Sequence, residues 1–198
     1  TKEAGRLAQQ PATDLLYHNG PVMTAPVTVR PIYWGTKWAN LNYIGDKTTG
    51  LTNLYSGYSN SAHAAISSQY GQSNGAKTST VVSVVAPVID TTAAKYSRTL
   101  DISKEVLKMN PTSLDETAYY PVYTDIPRGS AKFCAWHSSF TTTDGKHIKF
   151  AFFFDIQNDT SCSVTGAYTE PSLVTQSLAN VSIHELAEAM TDPEITAW

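Results

Sequence analysis

Residues 180–193 read N-V-S-I-H-E-L-A-E-A-M-T-D-P, and within them His184, Glu185 and Glu188 form an H-E-x-x-E arrangement. In the related signature H-E-x-x-H, two histidines one helical turn apart bind zinc, and the Glu beside the first acts as general base. Here a carboxylate replaces the second histidine. Residues i and i+4 still share a helix face, and carboxylate oxygen also binds zinc. His184 and Glu188 are therefore candidate metal ligands, and Glu185 is the candidate base. Asp192, one further turn along the same side, is the candidate third ligand. The plainer reading is a surface helix whose polar face carries one histidine and three acids. The missing second histidine favours that reading, and the extra acids favour a metal.

The element that must hold these residues is a helix over 172–191. At the helical period Ala179, Ile183, Leu186 and Met190 fall in one narrow arc. His184, Glu188 and Asp192 fall on the opposite side, with Glu185 flanking them. Pro171 suits the first turn, with Thr169 as N-cap. Pro193 disfavours helix at Asp192 and ends the element near Thr191.

Other elements follow from apolar periodicity and turn residues. Strands are predicted at 27–34, 80–89, 118–124, 132–140 and 147–154, forming one mixed sheet. Pro31 interrupts the first, which implies an edge or a bulge. Residues 80–89, T-V-V-S-V-V-A-P-V-I, read as the clearest buried strand. Asp144-Gly145 makes 132–154 a hairpin. Residues 100–109 read as a short helix with Asp101 early and Lys108 late. The Gly-, Asn-, Ser- and Tyr-rich stretch 35–75 reads as loops with one helix near 62–70. Residues 1–16 read as a short helix or a flexible arm. Strands and helices do not alternate regularly, so the expected class is α+β, as one domain over 1–198.

Hydrophobic residues make up 41% of the 198-residue chain and charged residues only 16%, with 11 tyrosines, a balance that looks secreted. The formal net charge of −3 offers no basic field for nucleic acid or an anionic membrane. No run approaches the roughly 20 apolar residues of a membrane span. The chain starts at Thr1, so a processed or partial chain is expected. The two cysteines, Cys134 and Cys162, can form one disulfide or remain two buried thiols. With a secreted-like composition the disulfide is the expectation. Two glycosylation sequons begin at Asn158 and Asn180. Asn158 lies in a polar loop and is the candidate acceptor, whereas Asn180 falls inside the helix.

Several segments together resemble the phosphate-induced protein 1 (EXORDIUM-like) family. They are Tyr17-His18-Asn19-Gly20-Pro21-Val22-Met23, Ile32-Tyr33-Trp34-Gly35, Tyr119-Tyr120-Pro121-Val122-Tyr123-Thr124-Asp125 and Phe133-Cys134-Ala135-Trp136-His137-Ser138. His184-Glu185-Leu186-Ala187-Glu188 with Thr191-Asp192-Pro193 completes the set. The similarity is strongest to secreted bacterial and fungal members. It implies an extracellular or wall-associated protein with a zincin (metallopeptidase)-like fold. Relatives continue past the position of Trp198 with a tail holding a Glu, an Asp and a Cys, so the third ligand is expected at Asp192 or in such a tail. His137 is the first of the remaining histidines to inspect, because it sits near Cys134 in a family-like segment.

Two functions remain open at this level. One is a zinc-dependent peptidase acting on a peptide or protein substrate. The other is a non-catalytic binding or structural protein, with a cell-wall polysaccharide as a candidate partner.

Overall fold

The computed structural model describes residues 15–95, 99–112, 114–165 and 168–198. The expected arm at 1–16 lies outside these residues except for Leu15 and Leu16. In chain order the elements are β1 (Val27–Val29), β2 (Ile32–Trp34), α1 (Leu41–Ile44), α2 (Lys47–Tyr58) and α3 (Ala62–Ser67). They continue with β3 (Val82–Val84), β4 (Val88–Asp90), α4 (Thr99–Met109), β5 (Ala118–Pro127), β6 (Ala135–Thr141), β7 (His147–Asp155) and α5 (Leu173–Thr191).

These segments build one mixed, mostly parallel sheet. β5 is central. β1 and β2 are successive pieces of one line beside it, with Val29 opposite Tyr119 and Ile32 opposite Val122. β3 and β4 run parallel along the outer side of that line. On its other side β5 pairs in parallel with β7, from Tyr119 opposite Lys149 to Tyr123 opposite Phe153. β6 returns antiparallel to β7 and forms the far edge. The strands buried on both faces read as near-continuous apolar runs, as parallel sheets require. Seven consecutive residues of β5 and seven of β7 are buried.

Two strand expectations need correction. The segment with Pro31 is interior to the sheet. It breaks only locally, because Pro31 has no N–H and Arg30 N bonds Tyr119 O at 2.9 Å across the interruption. The stretch 80–89 is an edge, split around Pro87, with Val88 37% and Ile89 44% exposed. An apolar run alone does not report how many neighbours a strand will have.

Helices cover both faces. α5 and α2 share one. There Tyr55 and Tyr123 meet hydroxyl to hydroxyl at 2.7 Å, and Tyr123 reaches Ser182 Oγ at 2.8 Å. Trp136, Phe140, Phe150 and Phe152 make ring contacts on the opposite face, where α4 lies across a groove from Phe140. α2 was not expected from its Gly- and Thr-rich sequence. Leu51, Leu54, Tyr55 and Tyr58 nevertheless recur at helical spacing, and burial of that stripe overrides weak propensity. α5 is capped by Ser172, whose side chain accepts from Thr175 N, rather than by Thr169. Pro171 therefore precedes the cap instead of occupying the first turn. Among the described residues no helix is long and apolar enough to cross a membrane.

α4 is tied to β4 by a buried acid pair. The Asp90 carboxylate accepts from Lys108 Nζ and from Thr92 N at 2.9 Å, and Glu105 Oε2 lies 3.5 Å from Lys108 Nζ. Burial, followed by the adjacent Asp90, raises the Glu105 carboxyl from 4.5 to about 7. A carboxyl raised in the folded state adds stability below its unfolded value and loses it as pH climbs through the folded one. The unfolding free energy should therefore carry a declining component between pH 4.5 and about 7. Glu105→Gln should remove that component, as read from urea titrations at closely spaced pH. An unchanged pH slope in the variant would show that Glu105 does not titrate in this window.

Candidate metal centre

α5 presents the line Thr175, Leu178, Ser182, Glu185 and Ala189 to the interior, and all five are buried. Small residues let the helix sit close to the tyrosine hydroxyls of β5. Glu185 therefore points inward and is 3% exposed. Leu186 and Met190 are fully buried as expected, whereas Ile183 is only half-buried and lines a cleft. The apolar arc read from sequence is thus rotated relative to the face that packs.

β6 brings His137 to the same place. Alternation along the strand sends Trp136 toward Phe150 and Phe152 and His137 to the α5 side. His137 Nδ1 lies 3.1 Å from Glu188 Oε2 and 3.6 Å from Glu185 Oε2. Its Nε2 lies 3.3 Å from the backbone carbonyl of Asp192. Both ring nitrogens thus face oxygen acceptors, which suits a doubly protonated ring. Burial pulls the imidazole down, but the Glu185 and Glu188 carboxylates outweigh it and raise it from 6.5 to about 9. The bond from His137 is also the main reason that the Glu188 carboxyl lies below its ordinary value.

Glu188 is the hub. Its second oxygen, Oε1, lies 3.1 Å from His184 Nε2 on the exposed side of the helix. Ligands bound tetrahedrally at zinc distances are separated by about 3.3 Å, a size both contacts of Glu188 match, although they lie on its two different oxygens. His137, Glu185 and Glu188 each place one ligand atom within 4.8 Å of the others, so this group can hold a metal ion. Glu185 Oε2 is buried and has no hydrogen-bond partner among the described residues. A buried carboxylate oxygen in that condition calls for a cation or a water.

The residues read from sequence are only partly gathered. His184, Glu185 and Glu188 line one cleft of about 500 Å³. Asp192 does not join them as the third ligand. It is the C-cap of α5, and its Oδ1 accepts from Thr196 N at 2.6 Å and Ala197 N at 2.7 Å. The backbone leaves helical geometry there, as Pro193 requires, and the carboxylate turns to the following loop. His137 supplies the missing side chain. Spacing could not identify it, because its partners lie 51 and 48 residues away in sequence. The sequence points to it only through the family-like segment around Cys134, which makes it the first of the remaining histidines to inspect.

Cys134 and Cys162 form the disulfide, tying the start of β6 to the loop that leads toward α5. Asn158 is exposed, in a left-handed conformation with φ 63°, beside Asp159, which pairs with Arg128. Asn180 lines the cleft, and the serine of its sequon, Ser182, is buried against Tyr123. Comparison of the chain with family models, curated proteins and solved structures finds no match to any of them.

Proposed function

We propose that the chain is a secreted, zincin-like metal-dependent peptide hydrolase of the EXORDIUM-like type. Glu188 is the central ligand, His137 converges on it from the edge strand in place of Asp192, His184 supports it from the exposed side of its own helix, and Glu185 is the base. The observation that carries this reading is the double contact of Glu188. Each of its oxygens is 3.1 Å from a ring nitrogen, one on its own helix and one on the edge strand. When bound, zinc supplies Lewis acidity, polarising a carbonyl and making water nucleophilic near neutral pH. Glu185 Oε2, which makes no hydrogen bond among the described residues and lies 3.6 Å from His137, accepts a proton from the attacking water and returns it to the leaving amine. An extracellular location accords with the disulfide.

One observation favours the non-catalytic alternative. An imidazolium between two carboxylates already offsets one of their charges, so the group can serve to pin β6 to α5 in an extracellular binding protein. Metal analysis and cobalt titration of the purified chain separate the two. The hydrolase reading expects one equivalent of zinc in wild type, retained by Glu185→Gln with loss of peptide hydrolysis. His184→Ala and Glu188→Ala should lose both metal and hydrolysis. If Glu185→Gln loses the metal instead, Glu185 is a ligand and not the base. Absence of metal uptake by wild type rejects the hydrolase and leaves the binding protein, for which a cell-wall polysaccharide is a candidate partner.

A further inference from the structure

The cleft over α5 extends beyond the carboxylates, and its walls differ in chemistry. One wall is apolar. Phe133 is 44% exposed at its mouth, and Val181 and Ile183 of α5 lie in the same lining. An exposed aromatic ring beside the buried Glu185 carboxylate is a poor use of surface unless something covers it. This ring is also held in place. It sits next to the disulfide-bonded Cys134, and its centroid is 5.9 Å from that of Phe154. On the α3 side His63 is exposed to the cleft with its ring 5.7 Å from Tyr58. Among the described residues the lining contains Glu185 and Glu188, with His63 and His184, but neither lysine nor arginine. A volume of about 500 Å³ falls within the usual range for ligand sites, about 300–1,000 Å³.

We infer that the ligand of this cleft is an uncharged or basic peptide segment that places an apolar side chain between Phe133 and Ile183, and that acidic segments are excluded. The apolar wall removes that side chain from water. Glu185 and Glu188 carry two negative charges against the single positive charge of His137, and with no lysine or arginine among the described lining residues the remaining charge repels an anionic one. A single aromatic ring and one amide, Asn180, make a meagre platform for a sugar, so the peptide is favoured over a polysaccharide. This inference rests on the proposed peptide-hydrolase reading for its ligand class.

The test uses two blocked pentapeptides, glycine throughout except for a central leucine in one and a central aspartate in the other. Binding to the full chain is followed by methyl NMR of Ile183 and Val181, with no metal added. The leucine peptide is expected to shift these methyls and to bind at least about 10-fold more tightly than the aspartate peptide, the scale at which apolar pockets discriminate. Phe133→Ser should abolish most of that difference while leaving the fold and the metal content unchanged. Equal binding of the two peptides, no binding of either, or shifts that map elsewhere would overturn the inference. Metal content measured on the same samples keeps the two claims apart. Metal uptake without peptide preference sinks the selectivity alone, and preference without metal uptake sinks the hydrolase and leaves an apolar peptide-binding cleft.

Discussion

Leu186→Ala is expected to lower the unfolding free energy by about 2–5 kcal/mol, the cost of removing a large aliphatic side chain from a packed interior. Leu186 is fully buried between α5 and the sheet, flanked along the helix by Glu185 and Ala189, which are also buried. The loss combines the removed apolar area with a cavity that a helix braced against β5 and β6 can only partly close. Ile183→Ala should cost clearly less, because Ile183 is half-buried on the cleft side. The pair therefore reports the rotation of the helix and not only its hydrophobicity. Denaturant titration should show the midpoint of Leu186→Ala shifted with little change in slope. Equal costs for the two substitutions would mean that α5 packs on the arc read from periodicity. That orientation would carry Glu185 out of the interior and dissolve the centre.

Removing the disulfide, as Cys134→Ser with Cys162→Ser, is expected to cost about 3–4 kcal/mol by the chain-entropy account. The two cysteines lie 28 positions apart, and the segment they close contains the β6–β7 hairpin. Cutting it mainly enlarges the unfolded ensemble, and a loop of that length lies in the middle of the usual range. The site is affected as well, since Cys134 stands three residues before His137 and beside Phe133. Wild type and the double variant compared by urea titration, each with and without reductant, isolate the effect. Reductant should bring wild type close to the variant and leave the variant unmoved. If wild type is equally stable in both conditions, the bridge contributes nothing measurable, and β6 is held by pairing to β7 alone.

The strands and the C-terminal helix were legible because their signals are local. β7 is a run of aromatic and β-branched residues after an Asp-Gly turn, and Gly145 adopts φ 87° in that turn, where a side chain would be strained. The α5 boundaries follow from Pro171 and Pro193 on either side of a helical period. Other features were less legible because they depend on what a segment meets. The stretch 80–89 has the composition of a buried strand, yet among the described residues no strand covers its outer side in the sheet order. α2 carries residues of low helix propensity that become helical because Leu51 and Tyr55 are buried.

The candidate centre divides along the same line. His184, Glu185 and Glu188 are spaced by the helix itself, so sequence alone determines that they lie within one turn of each other. Which of them faces the interior is decided by packing, because rotation about the helix axis depends on the surface that the helix covers. His137 and the loss of Asp192 are likewise tertiary outcomes. One needs a strand register that places residue 137 opposite Ala151 and over α5. The other needs the backbone to leave the helix at residue 192, which hands the Asp192 carboxylate to the amides of Thr196 and Ala197. Spacing along one element is set by bond geometry and is visible in sequence. Convergence between elements is set by how their apolar surfaces fit, and only the folded chain decides it.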